Sequence, residues 1–291
     1  MSVGYVSEKE AQAVKRFRGR TRRERHLDLG LCLRGERSVG TSPGGWGREL
    51  EAQWTALHHV CTDRASRSRL ARLLDRLMGG DRAALQSALA ELELATLLVR
   101  AGFSVGFLPE SQSRTADFEC TLGQDRMFVE VTALVGSRGR PRGDSRARKR
   151  KADDGDEGDH NGGQVLIDRL VSRISQKARQ LVQYRAPVLL AMTVPRRDPS
   201  RHRGPDEVDL KRLAGTVTVM LTVVRHVSGV LLSLWEIKPA PARSGVRLAN
   251  AHVVERPAHQ TAYPRVRLLI RNPAAAHPLS GREIEALTGL L

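Results

Sequence analysis

Aromatic side chains are scarce: five phenylalanines, three tryptophans and three tyrosines amount to 4% of the 291-residue chain. That disfavours a platform on which successive single-stranded bases stack. Cysteine is rarer still. Cys32, Cys61 and Cys120 are odd in number and far apart, which excludes a disulfide framework and a CxxC zinc site and fits a reducing, cytoplasmic setting. Long apolar runs are also missing. Met1 to Glu10 lacks the apolar core of a secretory signal,. The most membrane-like stretch, Gly215 to Trp235, is interrupted by Arg225, His226 and Ser228-Gly229. A spanning helix needs about 20 uninterrupted apolar residues. A soluble protein with no membrane partner is expected.

Acids are in deficit. Lysine and arginine number 48 against 32 aspartates and glutamates, a formal charge of +16. A polyanionic partner, nucleic acid first, follows from that excess. Hydrophobic residues make up 40% of the chain, enough for a packed core,.

The order of patterns divides the chain. Residues 1–45 read as a basic flexible arm, with Lys15, Arg16, Arg18, Arg20, Arg22, Arg23 and Arg25 crowded together. Residues 46–80 carry apolar residues at helical spacing (Leu50, Trp54, Leu57, then Leu70, Leu73, Leu74, Leu77) and end at Gly79-Gly80,. Asp81 caps a further helix through Leu98 to Ala101, stopped by Gly102,. Strand patterns follow at 103–108, 117–122 and 127–134, with a turn at Gly123-Gln124-Asp125,. Residues 136–162 read as a disordered insertion, a basic block followed by an acidic one with no large apolar residue to build a core,. A helix over 165–184, a strand over 187–194, a helix from Asp209 to about Val217 and a strand over 227–235 complete the central part. The C-terminal extension, 238–291, is expected to pack on a core spanning 81–237. It holds a strand near 266–270 and a last helix with a Ser280–Glu283 capping box,. Alternating helices and strands give an α/β class with a mixed central sheet flanked by helices.

The hairpin carries the chemistry. A two-residue turn at Gly123-Gln124 sets a register in which Asp117 faces Glu130 across the open end, Cβ atoms about 5 Å apart. Like carboxylates so opposed repel unless a cation lies between them, and oxygen ligation suits Mg²⁺ or Mn²⁺. The alternative is two exposed strand carboxylates, which a three-residue turn would put out of register.

From these residues the chain resembles a known family. Glu91-Leu-Glu-Leu-Ala-Thr-Leu-Leu-Val-Arg-Ala-Gly102, then Arg114-Thr-Ala-Asp117-Phe118, then Phe128-Val-Glu130-Val-Thr132 are similar to the PD-(D/E)XK, or restriction-endonuclease-like, nucleases. The resemblance covers about residues 81–235. It implies a restriction-endonuclease-like core and a divalent-metal-dependent nuclease that hydrolyses phosphodiester bonds, with DNA the expected substrate. It also implies that Asp117, Glu130 and Glu91 hold Mg²⁺ or Mn²⁺. Glu91 fits the family's helix glutamate better than Glu93, while a helical wheel leaves the choice open.

Two residues depart from the family pattern. Ala116 stands where a proline is usual, and Thr132 where the third motif has its lysine. Threonine cannot supply the positive charge that stabilises the reacting phosphate. Lys177, at the rim of the apolar stripe formed by Leu170, Ile174 and Leu181, is the candidate replacement, with Gln180 a weaker one. The alternative for Lys177 is a stem lying on apolar surface with its ammonium in water.

Two other readings stand beside the nuclease. One is a catalytically inactive nucleic-acid-binding protein that keeps the fold without the lysine. The other is an interaction module whose basic segments bind an acidic protein or a membrane surface. The group His58-His59-Val-Cys61 reads as a helix-surface cluster, and neither a P-loop nor a nucleophilic serine pair is present,. Oligomeric state is left open.

Overall fold

A computed structural model describes residues 45–109, 116–135, 162–195, 205–240, 249–260 and 262–291. Nearly all of the basic arm and of the charged insertion lies outside them; residue 45, expected in the arm, and residue 162, expected in the insertion, already belong to helices.

Among the described residues three helices come first: α1 (Gly45–Val60), α2 (Arg64–Met78) and α3 (Arg82–Arg100). The periodicity read over 48–78 breaks into two helices because the Asp63 side chain accepts from the Ser66 N–H and starts a new one,. Asp81 caps α3 through the Ala83 and Ala84 N–H groups. Gly102 ends α3 with φ +91°; its N–H bonds to Val99 and that of Phe103 to Leu98, a paired closure that needs a left-handed residue,.

Strands β1 (Ser104–Phe107), β2 (Phe118–Leu122) and β3 (Asp125–Ala133) form an antiparallel meander. Then come α4 (Gly162–Ala178), β4 (Val188–Val194), β5 (Asp206–Val208), α5 (Leu210–Val223), β6 (Gly229–Leu234), β7 (Ile237–Pro239), β8 (Ala251–Glu255), β9 (Val266–Arg271) and α6 (Gly281–Gly289). The helix expected to reach Tyr184 stops at Ala178, and α5 runs beyond the expected Val217.

Among the described residues the main sheet has seven strands, in the order β1-β2-β3-β4-β6-β9-β8. The β3–β4 and β4–β6 pairs are parallel and the others antiparallel, so the sheet is mixed. Segment 238–291 does more than pack on the core, since β8 and β9 complete its sheet. Strands β5 and β7 form a separate parallel pair.

Side-chain alternation divides the core in two. Phe118, Met127, Val129, Val131, Leu189 and Leu269 face α1, α2, α3 and α6. Phe128, Leu190, Met192, Leu232 and Leu268 face α4 and α5. Helices cover both faces, which explains why β3 is buried over six consecutive residues rather than alternating,. Glu130 and Thr132 share the parity of Phe128 and so lie on the α4 face.

Candidate active site

The turn at Gly123 fixes the register of the site. Gly123 takes φ +65°, and Leu122 pairs with Asp125 and Phe118 with Val129. Extended by one residue, that register points Asp117 at Glu130. At the open end the ladder shifts: the Asp117 N–H donates to the Val129 carbonyl, and its side chain accepts from the Val131 N–H at 2.8 Å. Tyr184 anchors the approach, its hydroxyl accepting from the Ala116 N–H at 2.8 Å.

Asp117 and Glu130 are brought together. Burial, then the neighbouring Glu130 and Glu91 charges, push the Asp117 carboxyl well above the usual range. Burial also raises Glu130, against the opposing pull of Lys177 and a hydrogen bond with Asp117. Both carboxyls are therefore easier to protonate than free ones, and a bound cation would relieve the same repulsion.

Lys177 reaches Glu130. Its ammonium forms an ion pair with Oε1 of that residue, with 18% of the lysine side chain exposed and 6% of the glutamate's. One turn earlier on α4, the Arg173 guanidinium donates to Thr132 Oγ1 at 3.3 and 3.4 Å. Gln180 has no side-chain role among the contacts of this cluster. Its N–H continues the end of α4 toward Lys177.

Glu91 sits on the other side of the sheet, 2% exposed and held by arginines. Arg76 grips both of its carboxylate oxygens, at 2.9 and 3.1 Å. Arg69, itself 5% exposed, donates to Glu91 Oε2 at 3.0 Å and to Asp117 Oδ1 at 2.8 Å. Glu93 lies apart, paired with Arg267 of β9 at 2.9 Å, whereas Glu91 is joined to Asp117 through Arg69.

Asp117 and Glu130 suit a hard cation by donor chemistry: two oxygen ligands, crowded together and buried. Glu91 fits less well, because two guanidiniums already occupy its carboxylate. Among the described residues no trio of His, Cys, Asp or Glu side chains is gathered to hold an ion alone. Magnesium commonly completes its shell with water and phosphate oxygens.

Arg69, Arg76 and Arg173 were not expected from the sequence. A signal for Arg69 exists: Ser66, Arg69, Leu70 and Leu73 form one buried helical stripe, and an arginine on such a stripe needs a buried acid,. Elsewhere, Cys61 is buried rather than on a helix surface; burial pushes its thiol up to about 11 and its Sγ donates to the Val105 carbonyl. Both disfavour the thiolate that a nucleophile or a metal ligand needs. His58 stacks on Trp54 with ring centroids 4.8 Å apart. No helix among the described residues is long and apolar enough to cross a membrane.

Compared with protein-family models, with curated proteins and with solved structures, the chain matches none.

Proposed function

We propose that this protein has a restriction-endonuclease-like core and acts as a divalent-metal-dependent nuclease, with DNA as its substrate. One observation carries the reading: Lys177, on a helix remote in sequence, reaches the Glu130 carboxylate beside Asp117. An acidic pair with a lysine on it is what metal-assisted phosphodiester hydrolysis needs, and Thr132 leaves the lysine position of the motif without a charge. Fold likeness alone would not carry function; this site is the argument.

Asp117 and Glu130 would hold Mg²⁺ or Mn²⁺, which when bound supplies positive charge and an acidified water. Lys177 adds charge at the developing oxyanion. To do so its ammonium turns from Glu130 toward the phosphate, a small movement for a four-carbon stem at a partly open position. Tyr184 and the Val131 N–H hold the Asp117 strand end in place. Glu91 acts through Arg69, orienting Asp117 rather than binding the ion.

A second reading is favoured by the Arg69 bridge. Glu91, Asp117 and Glu130 are matched by Arg69, Arg76 and Lys177, so the cluster is balanced without a metal. On that reading the domain binds nucleic acid and does not cut it.

Incubation with plasmid, linear and single-stranded substrates, with Mg²⁺, Mn²⁺ or chelator, separates the two. The nuclease reading expects metal-dependent cleavage that disappears in Asp117→Asn. Binding without cleavage under every metal condition would establish the second reading.

A further inference from the structure

Helix α4 carries three cations at a spacing of four residues, Arg169, Arg173 and Lys177. That spacing puts them on one face, with a rise of about 6 Å per step. They meet successive points of β3 and its exit: Arg169 donates to the Val135 carbonyl at 3.4 Å, Arg173 to Thr132 Oγ1, and Lys177 to Glu130.

The three differ in what they bond. Lys177 meets a carboxylate. The Arg169 and Arg173 guanidiniums meet neutral oxygens, a backbone carbonyl for Arg169 and the Thr132 hydroxyl and Gln176 Oε1 for Arg173. Neutral acceptors orient a guanidinium without cancelling its charge. Among the described residues neither guanidinium meets a carboxylate, so positive charge not cancelled by an ion pair lies next to the acidic cluster, on Arg169 and Arg173.

We propose that Arg169 and Arg173 form a track that grips the phosphate backbone of a nucleic acid, adjacent to the Asp117–Glu130 pair, with the Thr132 hydroxyl holding Arg173 in line. Guanidinium forks match phosphate oxygens bidentately. Thr132 thereby has a task of its own: in place of a lysine that would supply charge directly, it positions an arginine from α4. The proposal rests on the nucleic-acid reading above but not on cleavage.

The test is binding of a labelled duplex DNA to the full chain in Ca²⁺, across a range of salt concentrations. Removing one cation from the phosphates flattens the slope of log affinity against log salt by about 0.9. Arg169→Ala/Arg173→Ala should flatten it by about 1.8, with an unchanged melting temperature, and Arg173→Lys should keep the parent slope. If the double variant fails to fold, Arg169→Ala alone, at an exposed site, should flatten it by about 0.9. A parent slope in the double variant, or in Arg169→Ala where the double variant does not fold, would overturn the track. So would loss of binding to phosphatidylserine vesicles with DNA binding intact, which would assign the face to a lipid surface. Absence of cleavage in the parent protein would overturn the nuclease reading and leave these slopes, and the track, untouched.

Discussion

On the α2–α3 side of the sheet, Glu91 is held by two arginines, one of which also reaches Asp117. On the α4 side, Glu130 meets a single lysine, and Thr132 meets an arginine through neutral hydrogen bonds. The first half is multiply bonded, with Arg69 and Glu91 buried, so those groups cannot move without leaving charges stranded. In the second half Glu130 and Thr132 are also buried, but the cations are held more loosely, Lys177 by one carboxylate and Arg173 by the neutral oxygens of Thr132 and Gln176. A site that must both stand firm and exchange partners is well served by this division. The α2–α3 half fixes Asp117; on the proposed function, the α4 half is the one that would meet a substrate.

The comparison predicts unequal costs. Arg69→Ala removes the shared partner of buried Glu91 and part-buried Asp117, and loss of one member of a buried ion pair costs about 3–5 kcal/mol. Urea denaturation should show a loss of that size for Arg69→Ala and under half as much for Lys177→Ala, because Glu130 can take up a proton when its lysine is gone. Equal losses would erase the distinction between the halves.

Activity should rank the other way. Lys177→Ala should lower cleavage by about 10²-fold or more, the usual effect of removing a transition-state electrostatic contact, and weaken Ca²⁺-supported binding much less. Cleavage at the parent rate would return Lys177 to a surface-covering role.

A pH effect follows from the raised carboxyls. Asp117 and Glu130 bind protons more tightly when folded than when unfolded. Between the ordinary carboxylate range and the raised folded values, the folded state holds more protons, so stability falls as pH rises through that window. Added Mg²⁺ should offset the fall, since it binds the deprotonated pair. Denaturation followed from pH 4 upward should show this slope in the parent and a flatter one in Asp117→Asn.

The smallest effect is expected at Glu93. It pairs with Arg267 on β9, so Glu93→Gln should leave the cleavage rate unchanged, whereas Glu91→Gln should lower it by loosening the hold of Arg69 on Asp117.

Much of this is readable from the residues. The two-residue turn at Gly123 sets the hairpin register, and that register brings Asp117 toward Glu130, although the paired ladder ends one residue short, at Phe118–Val129. Lys177 stands at the edge of an apolar stripe, where a lysine can turn inward, and it does. The α3 caps and the Ser280–Glu283 box are local signals, and both are present in the fold. What the sequence conceals is long-range. Arg69 and Arg76 lie on a helix of their own, and periodicity shows which face of that helix is apolar but not which helix it meets. Arg173 gives no signal because its partner, Thr132, is a neutral side chain on a strand 41 residues away. Strand β8 escapes a sequence reading because its burial is slight and its pattern weak, so pairing with β9 rather than hydrophobic alternation holds it.

On the proposed function a cation sits between Asp117 and Glu130, and Glu91 does not bind it. Thermal melting of the parent, Asp117→Asn, Glu130→Gln and Glu91→Gln with rising Mn²⁺ tests this directly, because an ion bound only to the folded state raises the melting temperature by mass action. The account predicts a concentration-dependent rise in the parent, a retained rise in Glu91→Gln, and none in Asp117→Asn or Glu130→Gln. The same rise in all four proteins, or none in the parent, would contradict it.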